Sequence, residues 1–266
     1  MVVLREYCYN LWEYPMSRSL SITSTWGLQE SIRRRWGERK APPSQPRGAK
    51  KATKRVLLVL AKDESRSIQS YRVDIQRCIQ DIIRGCSLEK GADDYRLMHI
   101  SFGDNIQQHH DFKPLNQCQP DDYVGQERKS RSTALSDAIV YAVNSLVVKS
   151  DYMKNDDVSG IVLVLSDGRS TKSSYNREYL RRIITKSASS SSLRSLKVIL
   201  IGVGDDPYAQ EEMEEFCREA GIAQYVSLRD VNHETIAMLI SCVHRNIMSQ
   251  RHAMHIGREP RKLCVE

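Results

Sequence analysis

Three hydroxyls and two carboxylates stand where an apolar run gives way to polar residues. Asp63, Ser65 and Ser67 lie in Asp63-Glu64-Ser65-Arg66-Ser67, directly after Val56–Ala61. Thr133 opens the helix-period stretch 133–139, and Asp167 follows the apolar run Ile161–Leu165 in Ser166-Asp167-Gly168. Together they make a hard, oxygen-only donor set, suited to Mg2+, with Mn2+ or Ca2+ as alternatives, and unsuited to zinc or copper. Two neutral hydroxyls in Asp-x-Ser-x-Ser keep the negative charge of such a set low, so a bound ion would stay electrophilic toward an outside carboxylate. On an extended strand exit, period-two alternation would point Asp63, Ser65 and Ser67 to one side and Glu64 and Arg66 to the other. The same residue types also suit a plain helix cap and a turn.

Other chemistries lack their signatures. There is no Gly-x-Ser-x-Gly elbow around Ser65 and no Gly-Lys-Ser/Thr phosphate loop. Gly202-Val203-Gly204 lacks the third glycine of a dinucleotide loop. The seven cysteines (8, 78, 86, 118, 217, 242 and 264) form no Cys-x-x-Cys pair. Cys242, His244, His252, His255 and Cys264 match no zinc spacing. His109-His110 is expected on an exposed edge strand.

The elements that would position the five oxygens are legible as alternating strands and helices. Buried strands are expected at Val56–Ala61, Ile161–Leu165 and Val198–Val203, with shorter ones at Leu97–Phe102 and Tyr225–Leu228. Helical stripes run through Ile68, Tyr71, Ile75, Ile79 and Ile82, through Leu135, Ile139, Ala142 and Leu146, and through Met213, Phe216, Cys217 and Ala220. A fourth joins Ile236, Leu239, Ile240, Val243 and Ile247. The fold class this implies is α/β, a doubly wound, mostly parallel central sheet with helices on both faces. Ligands of such sheets bind beyond the carboxyl ends of the strands, the edge where Asp63 and Asp167 fall. Residues 113–132 and Ser187–Ser195 read as surface connections.

Asp-x-Ser-x-Ser, the helix-opening Thr133 with Ala138 after it, and Ser166-Asp167-Gly168 occur in an order that resembles the von Willebrand factor type A domain and its metal-ion-dependent adhesion site. The resemblance spans about 195 residues, Arg55 to Ser249. It implies that Ser65, Ser67 and Thr133 ligate the ion directly or nearly so, and Asp63 and Asp167 directly or through water. An Asp or Glu of a protein partner would complete the sphere. It also implies that Ile106–Phe112 is a short antiparallel edge strand. Lys62 stands where the family more often has an apolar residue, Arg66 replaces a common glycine, and Arg131-Ser132 lacks the usual glycine before Thr133.

The expected domain organisation is a basic, unstructured segment 1–54, a type A domain over 55–249, and a polar tail over 250–266. Residues 1–54 hold 11 basic and 4 acidic side chains, a net of +7 that equals the charge of the whole chain. The remainder is neutral, so the domain gives no reason to expect a nucleic-acid partner. Pro42 to Gly48 has linker composition, while Leu28, Ile32 and Trp36 beside Arg33–Arg35 could form a short basic amphipathic helix for an anionic membrane or an acidic partner. Met1–Tyr14 lacks a secretory apolar region and no stretch reaches 18 apolar residues. The expectation is a non-enzymatic, intracellular adaptor or scaffold, cytoplasmic in the first place and nuclear in the second. The alternatives are a metal-dependent hydrolase of phosphate esters, and a structural module whose metal site stays empty with Lys62 or Arg66 standing in for the ion.

Overall fold

In a computed structural model, residues 2–6, 53–87, 92–123, 130–153, 156–168 and 171–228 are described. Strands β2 (Lys54–Asp63), β3 (Tyr95–Phe102), β5 (Asp157–Ser166), β6 (Ser195–Val203) and β7 (Gln224–Leu228) pair in parallel. Two antiparallel strands, β1 (Val2–Glu6) and β4 (Ile106–Pro114), close the edges. The order is β1-β7-β6-β5-β2-β3-β4. The chain passes outward from β2 through β3 to β4, then returns to β5 on the other side of β2. The reversal of winding therefore falls between β2 and β5, whose ends carry Asp63 and Asp167.

Every second side chain of the central strands enters one of two cores, because both faces are covered. Leu58, Leu60, Leu163, Leu165 and Ile201 pack on one face with Ile75, Ile79 and Ile82 of helix α1 (Arg72–Ser87). Leu57, Val59, Val162, Val164 and Leu200 pack on the other with α2 (Leu135–Tyr152) and α4 (Pro207–Ala220). Helix α3 (Arg177–Ala188) lies against both α2 and α4. Local signals set the helix ends. Asn176 caps α3 through the Tyr179 amide, and Asp206 with Pro207 begins α4, which ends at the left-handed Gly221.

The doubly wound sheet and each of its expected strands are present. Three expectations need correction. Val2–Glu6 belongs to the sheet, in register from Val2 opposite Leu228 to Glu6 opposite Gln224, so residues 1–54 are not wholly apart from the fold. Lys54 is already in β2. Residues 113–132 are not simply surface: single 3-10 turns at Leu115–Gln117 and Pro120–Tyr123 bury Leu115, Cys118 and Tyr123 under the α1 face. The stripe beginning at Ile236, the stripe at Leu28, Ile32 and Trp36, and the tail 250–266 lie outside the described residues. None of the described helices is long and apolar enough to cross a membrane.

Candidate metal-binding site

Asp63 is the last residue of β2, opposite Phe102 of β3, and is fully buried. Its Oδ1 accepts the Ser65 amide at 2.7 Å and its Oδ2 accepts the Ser166 hydroxyl at 2.6 Å. The Ser65 and Ser67 hydroxyls lie 3.1 Å apart, and the Ser67 side chain hydrogen-bonds Asp167. Four of the five expected residues, Asp63, Ser65, Ser67 and Asp167, thus form one connected group of oxygens above the switch point, closed by Ser166.

The route to that geometry differs from the expected one. Arg66 has helical φ −64° and ψ −33°, and Ser67 begins a 3-10 turn running to Tyr71. Strand parity therefore stops at Ser65. The tightening of the chain into the turn, not alternation, brings Ser67 beside Ser65. Arg66 is exposed, as expected, but Lys62 is buried on the α1 side of the sheet.

Thr133 is buried two residues before α2 and makes no side-chain hydrogen bond to the other four among the described residues. Its backbone is pinned instead. The Thr133 amide donates to the Thr171 hydroxyl at 2.9 Å, and its carbonyl accepts the Thr171 and Lys172 amides at 3.0 and 3.2 Å. That ties it to the segment following Asp167-Gly168. On the other side, Ala134 N donates to Gly103 O at 3.0 Å, and the Ser130 hydroxyl donates to Ser132 O at 2.8 Å. Ser130 also bridges to Ser65 in parallel fashion. A Cβ at Gly103 would lie 2.3 Å from Ser130 Cβ, so the turn after β3 approaches this loop as only glycine allows. Arg131-Ser132 without a glycine is accommodated because Ser132 hydrogen-bonds Asp104 in that same turn.

No ion pair among the described residues compensates the charge of the site. Burial pushes the Asp63 carboxyl up to about 6, Ser166 and Ser65 hydrogen bonds oppose it, and Asp167 adds to it. Burial also raises Asp167 against its hydrogen bond from Ser67. Neither Lys62 nor Arg66 pairs with either carboxylate, and no other cation among the described residues does so. For Lys62, burial disfavours the charged amine, Glu64 acts the other way, and Arg72 adds to the lowering. Among the described residues no group of three or more His, Cys, Asp or Glu is placed to hold a metal. The donor set here has only two carboxylates, and its remaining oxygens are hydroxyls. Two buried or half-buried carboxylates, flanked by hydroxyls and without a counter-charge among the described residues, fit a hard divalent cation.

Beside Ser67 and Asp167 opens a cleft of about 350 Å³ lined also by Tyr71, Gly204, Asp205 and Gln210. Tyr71 donates to Asp205 at 3.2 Å. Neither this cleft nor Ser166 as a partner of Asp63 was anticipated from the sequence. The Ser-Asp-Gly triplet was the available signal for Ser166. Asp205 and Tyr71 are 134 positions apart and carried none.

The mostly parallel, doubly wound sheet with helices on both faces, and an acid-and-hydroxyl cluster at its switch point, defines the class of domain. The family model of the von Willebrand factor type A domain matches residues 58–238, and the chain belongs to that family. Members of this family often mediate protein–protein interaction or adhesion. Solved structures share the fold at low identity. Proximal thread matrix protein 1 from the mussel byssus is 13% identical with a TM-score of 0.52, covering 73% of this chain and 48% of its own. Another structure of that mussel protein, with a zinc-occupied MIDAS motif, is 14% identical with a TM-score of 0.51, covering 73% of this chain and 48% of its own. The pilus adhesin SpaC from Lactobacillus rhamnosus GG, in its open conformation, is 11% identical with a TM-score of 0.57, covering 74% of this chain and 30% of its own. The chain thus spans about half the length of the mussel protein and less than a third of the adhesin's. No curated protein matches the chain.

Proposed function

We propose that this domain binds a protein partner through a divalent cation, Mg2+ in the first place, with Mn2+ or Ca2+ as substitutes. Asp63, Ser65, Ser67, Thr133 and Asp167 would hold the ion, and an Asp or Glu side chain of the partner would complete its coordination. When bound, the ion supplies an electrophilic site for that carboxylate. The observation that carries the reading is the fully buried Asp63 joined through Ser65 and Ser67 to Asp167, with no cation paired to either carboxylate among the described residues. Two carboxylates carry a formal charge of −2, which just neutralises a divalent ion. Attraction of the partner's acid then comes from an open coordination position at close range, not from a long-range field.

The chain's own residues perform the rest. Ser166 and the Ser65 amide fix both Asp63 oxygens, and the Thr171–Lys172 segment fixes Thr133 by its backbone. The proposed role is a non-enzymatic adaptor or scaffold inside the cell. Four buried free cysteines, Cys78, Cys86, Cys118 and Cys217, are compatible with a reducing compartment. Affinity capture of partners with wild type, with Asp63→Ala and with wild type in excess EDTA tests the proposal. The expected result is a set of partners lost in both treatments. A partner set retained in both would remove the metal from binding.

A further inference from the structure

His99 is an unusual occupant of its position. It sits in the middle of β3, between Met98 and Ile100, and is 3% exposed. Neither ring nitrogen has a hydrogen-bond partner. Its ring stacks on His109 with centroids 4.5 Å apart and lies 6.1 Å from His110 and 5.1 Å from Tyr123. Consecutive residues of a regular strand could not both face it. The β3–β4 register slips on both sides of the His99–His110 pair, once toward Leu97 and once toward Ile100, and these irregularities bring both rings to the same side. The edge strand is thus attached around His99 by an interrupted ladder.

We propose that this histidine cluster is an acid-released latch: protonation of His99 frees β4 from β3 and loosens the loop that carries Thr133. The basic groups nearest His99 among the described residues oppose a proton there. From β4 come His109, His110 and Lys113, and from β2 comes Lys62. The turns after β4 contribute Cys118, Tyr123 and Asp122, but the Asp122 carboxylate is already bound to Lys113 at 2.6 Å. From α1, Cys78 and Cys86 are buried on this face, and burial pushes the Cys78 thiol up to about 12, so it remains neutral. Burial first, then the neighbouring histidines when protonated and the two lysines, hold His99 down to about 2. A histidine in the opened edge titrates near 6.5. The opened form therefore binds the extra proton first. The closed form is favoured above about pH 6.5 and loses up to tenfold in its equilibrium per pH unit below that.

Opening would reach the candidate metal site through the β3–β4 turn. Gly103 O accepts Ala134 N, Asp104 N donates to Ser130 Oγ at 2.5 Å, and Ser132 donates to Asp104. These bonds hold residues 130–134 in place, and they depend on the turn that β4 closes. The consequence for partner binding rests on the function proposed above. The opening itself does not.

Hydrogen–deuterium exchange of the full chain in EDTA, from pH 7 to pH 4 and corrected for intrinsic exchange, tests the latch without metal or partner. In wild type the protection of residues 106–114 should fall by up to tenfold per pH unit below pH 6.5. Residues 130–134 should follow, while residues 199–203 of β6 stay protected. His99→Phe, which keeps an aromatic ring and cannot titrate, should flatten the profile. His99→Gln should do the same if the phenylalanine variant folds poorly. A wild-type profile no steeper than those of both variants, or β6 opening in step with β4, would overturn the proposal.

Discussion

Replacing Asp63 by asparagine should stabilise the metal-free protein. Burial sets the carboxyl near 6 against an ordinary 3.8. At ~1.4 kcal/mol per pH unit, that gap makes the ionised group about 3 kcal/mol costlier in the folded chain than in the unfolded one. The sign follows from proton binding. The folded state holds its proton more tightly, so the cost is absent below pH 3.8 and complete above about pH 6. Asparagine matches the shape without the charge. Its oxygen can still accept the Ser65 amide, and the Ser166 hydroxyl can rotate to accept from its nitrogen. Urea unfolding in EDTA should therefore show Asp63→Asn more stable by about 3 kcal/mol at pH 7.5, shrinking to about 1 kcal/mol at pH 4.5. Saturating Mg2+ should narrow or reverse the difference, because only the wild type retains both carboxylates for the ion. Equal stability of the two proteins in EDTA at pH 7.5, or a gain that does not shrink with acid, would show that the buried Asp63 carboxylate carries no such cost.

Two further outcomes are expected. Gly103→Ala forces Ser130 away from the turn, since the new Cβ would meet it at 2.3 Å, and should weaken Mg2+ affinity several-fold in calorimetry while every proposed ligand remains. A chain starting at Thr53 loses β1 and leaves β7 as a bare edge. It should still melt cooperatively, with Tm lower by roughly 2–4 °C for each kcal/mol the strand contributes, and a broad, non-cooperative melt in calorimetry would contradict this.

The parallel sheet was legible because both of its faces are covered. Val56–Ala61 and Val198–Val203 are uninterrupted apolar runs, as a doubly covered strand requires. The stripes through Ile75 and Ile139 were equally clear, since each helix buries one side. The oxygen residues stood out because their order along the chain follows the ends of β2 and β5. What escaped depends on contacts distant in sequence. Val2–Glu6 is too short to declare itself, and it becomes a strand only through β7, more than 200 residues away. Ser67 approaches Ser65 through a 3-10 turn that Asp-x-Ser-x-Ser does not specify. His99 interrupts the apolar run of β3 without disclosing that it is buried or which rings meet it. The polar appearance of residues 113–132 concealed Leu115 and Tyr123, two of the side chains most completely removed from solvent.

Titration of Mg2+ into chelator-stripped protein by calorimetry, compared across wild type, Asp63→Ala, Asp167→Ala and Thr133→Ala, tests the metal site most directly. A single bound ion is expected in wild type, lost in both aspartate variants. Affinity should be reduced but measurable in Thr133→Ala, because water can replace one neutral hydroxyl and cannot replace a carboxylate. Absence of Mg2+ binding in wild type, or unchanged binding in Asp63→Ala, would contradict a metal site held by these residues.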